Sequence, residues 1–387
     1  MKALAVRLDA LKSLDVDALI LPAPTLPAPG SNGPMPSLDD IDNLTRQASR
    51  EGIRVLLTLH APSATADLSG LARFWLNRGV AGLHIATASG TSPEQTLAIV
   101  QAVRKQASGA LGQRIIVSDL DLAPSASEQP DRPAARRAAR PSVAPLSQLQ
   151  IDKRAATLPA IDAAGLRPLL ARNAAQPGLL LDLSLPATSP DSHPPLAEPL
   201  AAIALVTQPA ALIDSAANLV LEPTVEQPQS VADEPAKPAP APPPQPPPGT
   251  YLPYVPYVPP PKPKPVEAPK PKLVDPLTDW YRQLAALHHD NTVLRTGTPV
   301  FLDFDAQNAL VWVTKPAKAN VLTPPVVVVC NLSAAPVQLS LAEAIKKLDL
   351  HGFFLRKLLR SDQGMGAQDI DAVTVPAFGV YIGELRR

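Results

Sequence analysis

The sequence predicts an α/β chain in which parallel strands alternate with helices, followed by a proline-rich stretch and a small antiparallel β domain. Three observations lead there. Up to about residue 122, apolar helix stripes and short apolar strands alternate with a spacing of roughly 27 to 35 residues, the rhythm of βα units. From Pro223 to Pro276 proline supplies 21 of 54 residues, which no buried core accommodates. Beyond residue 300 the apolar pattern changes to the two-residue alternation of strands.

In chain order, Leu4, Leu8 and Leu11 mark one face of a first helix, and Val16 to Leu21 forms a short strand ended by Pro22. A second helix places Ile41, Leu44 and Ala48 on one stripe, stops at Gly52, and feeds the strand Ile53 to Leu59. The device repeats: Leu68, Leu71, Ala72, Trp75 and Leu76 line a helix, Gly79 ends it, and Val80 to Ala86 reads as a strand. Ser92, Pro93 and Gln95 supply an N-cap, an N1 proline and a capping-box partner for a helix leading to the strand Arg114 to Leu120. Residues 123–165, rich in Ala, Pro, Ser and Arg, read as a poorly ordered excursion; Arg132, Arg136, Arg137 and Arg140 cluster there, as an exposed loop or a hold for an acidic partner. Regular pattern returns with Leu166 to Ala171, Leu179 to Leu183, a helix from Leu196 to Val206, and Ala217 to Leu221, which makes about six strands. After the proline stretch, Leu277 to Asn291 forms a helix with Trp280, Leu284 and Leu287 on one face. The strands Val300 to Phe304, Ala309 to Thr314, Val326 to Asn331, Pro336 to Leu339 and Val373 to Ile382 close the chain.

Composition excludes several function classes. The 387 residues carry 35 basic and 35 acidic side chains, so no positive field gathers nucleic acid or anionic lipid. One cysteine, Cys330, precludes an internal disulfide and a cysteine-rich metal site. No apolar run approaches the ~20 residues of a membrane span, and Met1 opens directly into an amphipathic helix instead of an export signal, so the cytoplasm is the expected compartment. No cofactor motif and no metal-ligand spacing is read.

Six segments together resemble glycoside hydrolase family 13, the α-amylase and α-glucosidase family. LDALKSLDVDALILPAP is similar to the helix and second barrel strand of that family, REGIRVLLTLHAPSA to its third strand, and ARFWLNRGVAGLHIATA to its fourth. AAIALVTQPAALIDSAANLVLEP resembles the seventh helix and eighth strand, DPLTDWYRQLAALHHDNTVLRTG the last barrel helix, and VVVVCNLSAAPVQL with VTVPAFGVYIGEL the C-terminal β domain. About two thirds of the chain is covered, in the family's order. The resemblance implies an incomplete (β/α)8 TIM-type barrel over residues 1–222, lacking the family's first strand, with a proline-rich disordered linker at 223–276. The last barrel helix follows at 277–299 and an antiparallel β-sandwich domain at 300–387.

The same resemblance removes the family's chemistry. Retaining glycosidases need two carboxyl groups about 5–5.5 Å apart, as nucleophile and general acid. The fourth-strand arginine and nucleophilic aspartate of the family correspond to His84 and Ala86, and alanine has no lone pair to attack an anomeric carbon. The aspartate, asparagine and histidine of the third-strand motif correspond to Thr58, Pro62 and Ser63. Asp119, alternating with Asp121 at a strand end, is the candidate remnant of the fifth-strand acid, or a polar cap; LLLDLSLP offers only Asp182, out of register. His60 and His84 lie near strand ends, where barrel enzymes place catalytic groups, but no carboxylate stands in motif spacing with either, and a packed or solvated histidine is the simpler reading. His288, His289 and Asp290 read as a solvated helix end, and Phe74, Trp75 and Trp280 as core, not as sugar platforms. Tyr251, Tyr254 and Tyr257 recur every third residue, which on polyproline II lines one edge: a solvated linker, or a docking strip for an aromatic-lined groove.

The expected function is that of a catalytically inactive α-glucosidase-like protein acting in binding or assembly in carbohydrate metabolism, with an α-glucan or oligosaccharide as candidate ligand. One alternative is an active α-glucosidase or transglycosidase with relocated carboxylates. Another is a scaffold that engages a protein partner through the proline-rich arm.

Overall fold

The computed structural model describes residues 2–24, 38–60, 68–86, 93–109, 114–120, 148–158, 160–176, 178–183, 195–207, 211–213, 275–317, 323–362, 364 and 366–387. Two short helices, α1 (Lys2–Ala5) and α2 (Leu8–Lys12), open the chain where one helix is expected, with Leu8 and Leu11 buried as the stripe requires. Then follow β1 (Ala18–Pro22), α3 (Asp39–Arg50), β2 (Arg54–His60), α4 (Leu68–Asn77), β3 (Gly82–Ala86), α5 (Pro93–Gly109) and β4 (Ile115–Leu120). Gly52 and Gly79 end α3 and α4 with φ of +78° and +95°, the left-handed conformation that glycine adopts without a Cβ clash.

Strands β5 (Gln148–Asp152) and β6 (Leu179–Leu181), separated by α6 (Ala163–Ala175), complete a parallel sheet whose order is the chain order, β1 to β6. Part of the expected excursion at 123–165 is therefore regular structure: β5 pairs with both β4 and β6, and a 3-10 turn at Arg154–Thr157 follows it. The strand expected at Ala217–Leu221, the arginine cluster and the whole tyrosine strip lie outside the described residues.

Each wall of the sheet has its own core. Val55, Leu57, Leu59, Leu83, Ile85 and Ile116 face helices α3 to α5 in one apolar cluster, with Trp75 1% exposed. The opposite wall carries a small cluster of Leu56, Ile115, Val117 and Ile151. This two-sided burial is what an all-parallel sheet requires, and it explains runs such as VLLTL without alternation.

Helix α7 (Ala197–Val206) is buried on most sides between α8 (Pro276–Asp290) and the C-terminal domain. Asp275 caps α8, its carboxylate accepting from the backbone N–H of Thr278 at 2.8 Å, and Pro276 opens the helix at N1. After α9 (Thr292–Thr296) the chain forms β7 (Thr298–Leu302), β8 (Ala309–Lys315), β9 (Val326–Asn331), β10 (Val337–Leu339), α10 (Ala342–Lys347), β11 (Phe354–Arg360), β12 (Gln368–Asp369), β13 (Val373–Val375) and β14 (Val380–Arg386). A six-stranded antiparallel sheet of order β12-β11-β14-β9-β8-β7 packs against the two-stranded sheet β10-β13. The expected single strand Val373–Ile382 is two strands in different sheets, because the chain turns between Val375 and Val380. Strand β11 and helix α10 were not legible in the period of the sequence.

The larger sheet is apolar on both faces. Val327, Val329, Val311 and Tyr381 face the small sheet and α10. Trp312, Val328, Cys330 and Ile382 share one cluster with Leu166, Leu170, Ile203, Trp280 and Leu284, so the β domain is seated on α6, α7 and α8. Polar contacts fix the seat: Asn308, in the left-handed conformation at φ +49°, accepts the Ala163 backbone N–H at 2.9 Å, and Arg167 reaches Asp305 at 2.6 Å. Trp280 donates its indole N–H to the Glu198 carbonyl at 3.1 Å.

Candidate functional site

The sheet brings the aligned polar residues together at its C-terminal end. In the parallel register Thr58 stands opposite His84 and His60 opposite Ala86, while His84 stands opposite Val117. Side chains two residues apart share a wall, so Thr58, His60, His84, Ala86 and Asp119 all project on the wall that carries Leu56, Ile115 and Val117. In β/α barrels that end of the strands is where chemistry is placed.

Three of these residues, joined by Lys153, form one hydrogen-bonded series. Thr58 Oγ1 lies 3.1 Å from His84 Nδ1, and His84 Nε2 lies 2.9 Å from Asp119 Oδ1. Lys153, just past β5, donates from Nζ to Asp119 Oδ2 at 2.8 Å. Burial is graded along the series: Asp119 is 4% exposed and His84 8%, Thr58 is half-buried, and the Lys153 side chain is half in solvent. Burial acts to raise the Asp119 carboxyl, but the hydrogen bonds and charges of His84 and Lys153 outweigh it and hold the group below the usual carboxylate range. An ionised Asp119 can only accept, so His84 Nε2 donates to it; in the tautomer with its proton on Nε2, Nδ1 accepts from the Thr58 hydroxyl.

Chemically this is a hydroxyl, an imidazole and a carboxylate in line, not a pair of carboxyl groups across a cleft. Ala86 is 8% exposed and brings no charge to the position beside His60. Asp182 follows β6, and its backbone N–H donates to the Asp152 carbonyl at 2.9 Å. Through the register Asp119–Ile151–Leu180 it lies two strands sideways and two residues along from Asp119, on the order of 10 Å between backbones. Asp152 is fully buried on the other wall, where Arg154 grips it with Nε at 2.8 Å and Nη2 at 2.5 Å. Burial opposes its ionisation, yet the Arg154 hydrogen bonds prevail and keep its carboxyl below the ordinary range, which suits a structural pair.

The histidines divide differently from the sequence expectation. His84 does meet a carboxylate, one 35 residues away that no local spacing reveals. His60 is exposed. His289 is exposed and 3.6 Å from Asp15, whereas His288 is half-buried, its Nε2 has no hydrogen-bond partner among the described residues, and burial pushes its pKa down. Among the described residues no group of three metal-ligating side chains is present. No helix among them is long and apolar enough to cross a membrane. Trp75 and Trp280 are buried at 1% and 5% exposure, as core residues. Lys153 and β5 were missed by sequence reading, although the alternation in QLQID was the available signal.

A parallel β/α wall with its polar groups at the strands' C-terminal ends, carrying an antiparallel β domain on its helices, defines an incomplete TIM-type barrel with a C-terminal β-sandwich. That fold is shared with sugar-converting synthases of known structure. The trehalulose synthase MutB from Pseudomonas mesoacidophila MX-45 is 12% identical with a TM-score of 0.58. The isomaltulose synthase PalI from Klebsiella sp. LX3 is 10% identical with a TM-score of 0.58. A MutB mutant in complex with the substrate sucrose is 12% identical with a TM-score of 0.60, and each of the three alignments covers 100% of this chain and 95% of the other. No protein-family model and no curated protein sequence matches the chain.

Proposed function

We propose that this chain is a catalytically inactive member of glycoside hydrolase family 13, an α-glucosidase-like barrel that acts by binding or assembly in carbohydrate metabolism. The observation that carries the reading is the state of its carboxylates. Ala86 stands where the family's nucleophile belongs, and Asp119, the remnant of the acid, is held ionised by Lys153 and His84. A glycosidic general acid needs the opposite environment, one that keeps its proton at working pH. The domain division at 222, 276 and 299 and a cytoplasmic location belong to the same proposal.

The ligand class follows from the fold's relatives in solved structures, one of which holds sucrose. An oligosaccharide or α-glucan is therefore the first ligand to try, ahead of a protein partner for the proline-rich arm. An active transglycosidase is the competing reading, and it needs a second carboxylate brought within about 5–5.5 Å of Asp119.

Calorimetric titration of the full-length chain with a short maltooligosaccharide and with sucrose tests the binding role. Saturating heat without continuing turnover is expected. Sustained heat restores the enzyme reading, and no heat at all shifts the role from sugar to a protein partner.

A further inference from the structure

The series on strands β2 to β4 meets the requirements of a nucleophile relay that the inactive-glycosidase reading leaves unused. A hydroxyl nucleophile needs a base within about 2.6–3.2 Å and a third group that orients the base. Thr58 Oγ1 stands 3.1 Å from His84 Nδ1, and Asp119 Oδ1 stands 2.9 Å from His84 Nε2. Each member sits on a different, adjacent, mutually hydrogen-bonded strand, so their spacing is set by sheet register and not by loops. The carboxylate and ring are almost fully buried while Thr58 is half-buried, the most exposed of the three residues. Lys153 holds the second Asp119 oxygen and fixes the plane of the carboxylate. Two residues along from Thr58, the exposed His60 stands beside Ala86 in register, on the same wall.

We propose that Thr58, His84 and Asp119 form a hydroxyl–imidazole–carboxylate relay, and that Thr58 accepts acyl groups from esters of small carboxylic acids. Thr58 Oγ1 attacks the ester carbonyl carbon and its proton passes to His84 Nδ1, giving an imidazolium held by the Asp119 carboxylate. His60 is placed to donate to the oxyanion. Collapse of the tetrahedral species breaks the bond to the alcohol, which leaves with the proton from His84. A water, deprotonated by the same ring, then attacks the threonyl ester, and Thr58 leaves with that proton. The step uses no second carboxylate, so it stands or falls separately from the absence of glycosidase chemistry.

The test uses the full-length chain with p-nitrophenyl acetate, following nitrophenolate release and locating any acetyl adduct by intact mass and peptide mapping. Turnover and an adduct on Thr58 are expected. Thr58→Val, which keeps the shape of the side chain, should abolish the adduct and lower turnover at least about 10²-fold. His84→Gln should do the same. Thr58→Ser should retain turnover, and it decides the matter if Thr58→Val fails to give the native melting transition. An absent adduct, an adduct confined to other residues, or turnover unchanged in Thr58→Val overturns the proposal.

Discussion

Replacing Asp119 by asparagine isolates the electrostatic element of the wall. The substitution keeps the size of the side chain but removes the charge that accepts from His84 at 2.9 Å and from Lys153 at 2.8 Å. A hydrogen bond to a charged group contributes about 1.5–3 kcal/mol. The His84 bond is buried and counts in full, whereas the Lys153 side chain is 50% exposed, so its share is screened to under about 1 kcal/mol. Asp119→Asn should therefore cost about 2–3 kcal/mol at pH 7. The pH dependence has a definite sign. The folded carboxyl lies below its ordinary value of 3.8, so its contribution is present in full above the unfolded pKa and is lost as pH falls through the lower, folded value. The stability gap between wild type and Asp119→Asn should be present at pH 7 and narrow as pH falls below about 4. Urea unfolding followed by Trp fluorescence measures it, because Trp75 is 1% exposed and packs in the core on the helix side of this sheet. A gap below about 0.5 kcal/mol at pH 7, or one that persists unchanged at pH 3, refutes the ionised, doubly bonded carboxylate.

Three further outcomes follow from packing. At Gly82 an added Cβ would stand 2.0 Å from the Ile115 carbonyl oxygen, backbone that cannot step aside without parting β3 from β4. Gly82→Ala should thus cost about 1–3 kcal/mol or more in the same unfolding assay. The thiol of Cys330 is fully buried and pushed well above the ordinary thiol range, so it should resist alkylation in native buffer and react at once in denaturant, as read by mass spectrometry. Burial pushes the Tyr281 phenol up to about 12, so its contribution to stability is present in full below the ordinary value of 10.0 and is lost as pH rises toward 12; thermal melting at alkaline pH, with Tyr281→Phe as the control that removes the effect, checks it.

The fold was legible wherever a side-chain period had one buried face. The stripes of α3 and α4 and the stops at Gly52 and Gly79 leave local marks that survive in one dimension. Strand β5 leaves only the short alternation in QLQID, because three of its five residues are Gln or Asp: Asp152 is buried with a two-pronged contact to Arg154, a pairing that period counting does not see. Strand β11 was hidden similarly, since three of its seven residues are Arg or Lys, and Arg356 is used in an ion pair with Glu384 on β14. The site was legible as positions but not as an arrangement. Thr58, His84, Ala86 and Asp119 could be placed by resemblance to strand motifs, yet the link between His84 and Asp119 spans 35 residues and depends on the register of β3 against β4. Lys153 could not be found at all without β5 beside β4.

The central claim is that the wall of β2 to β4 holds no carboxylate able to open a glycosidic bond. Incubating concentrated, full-length protein with sucrose and with maltotriose, and resolving the products by NMR over many hours, tests it most directly. The account predicts that both sugars remain intact at the level of buffer alone. Formation of glucose, or of a rearranged disaccharide, that disappears in Asp119→Asn contradicts it.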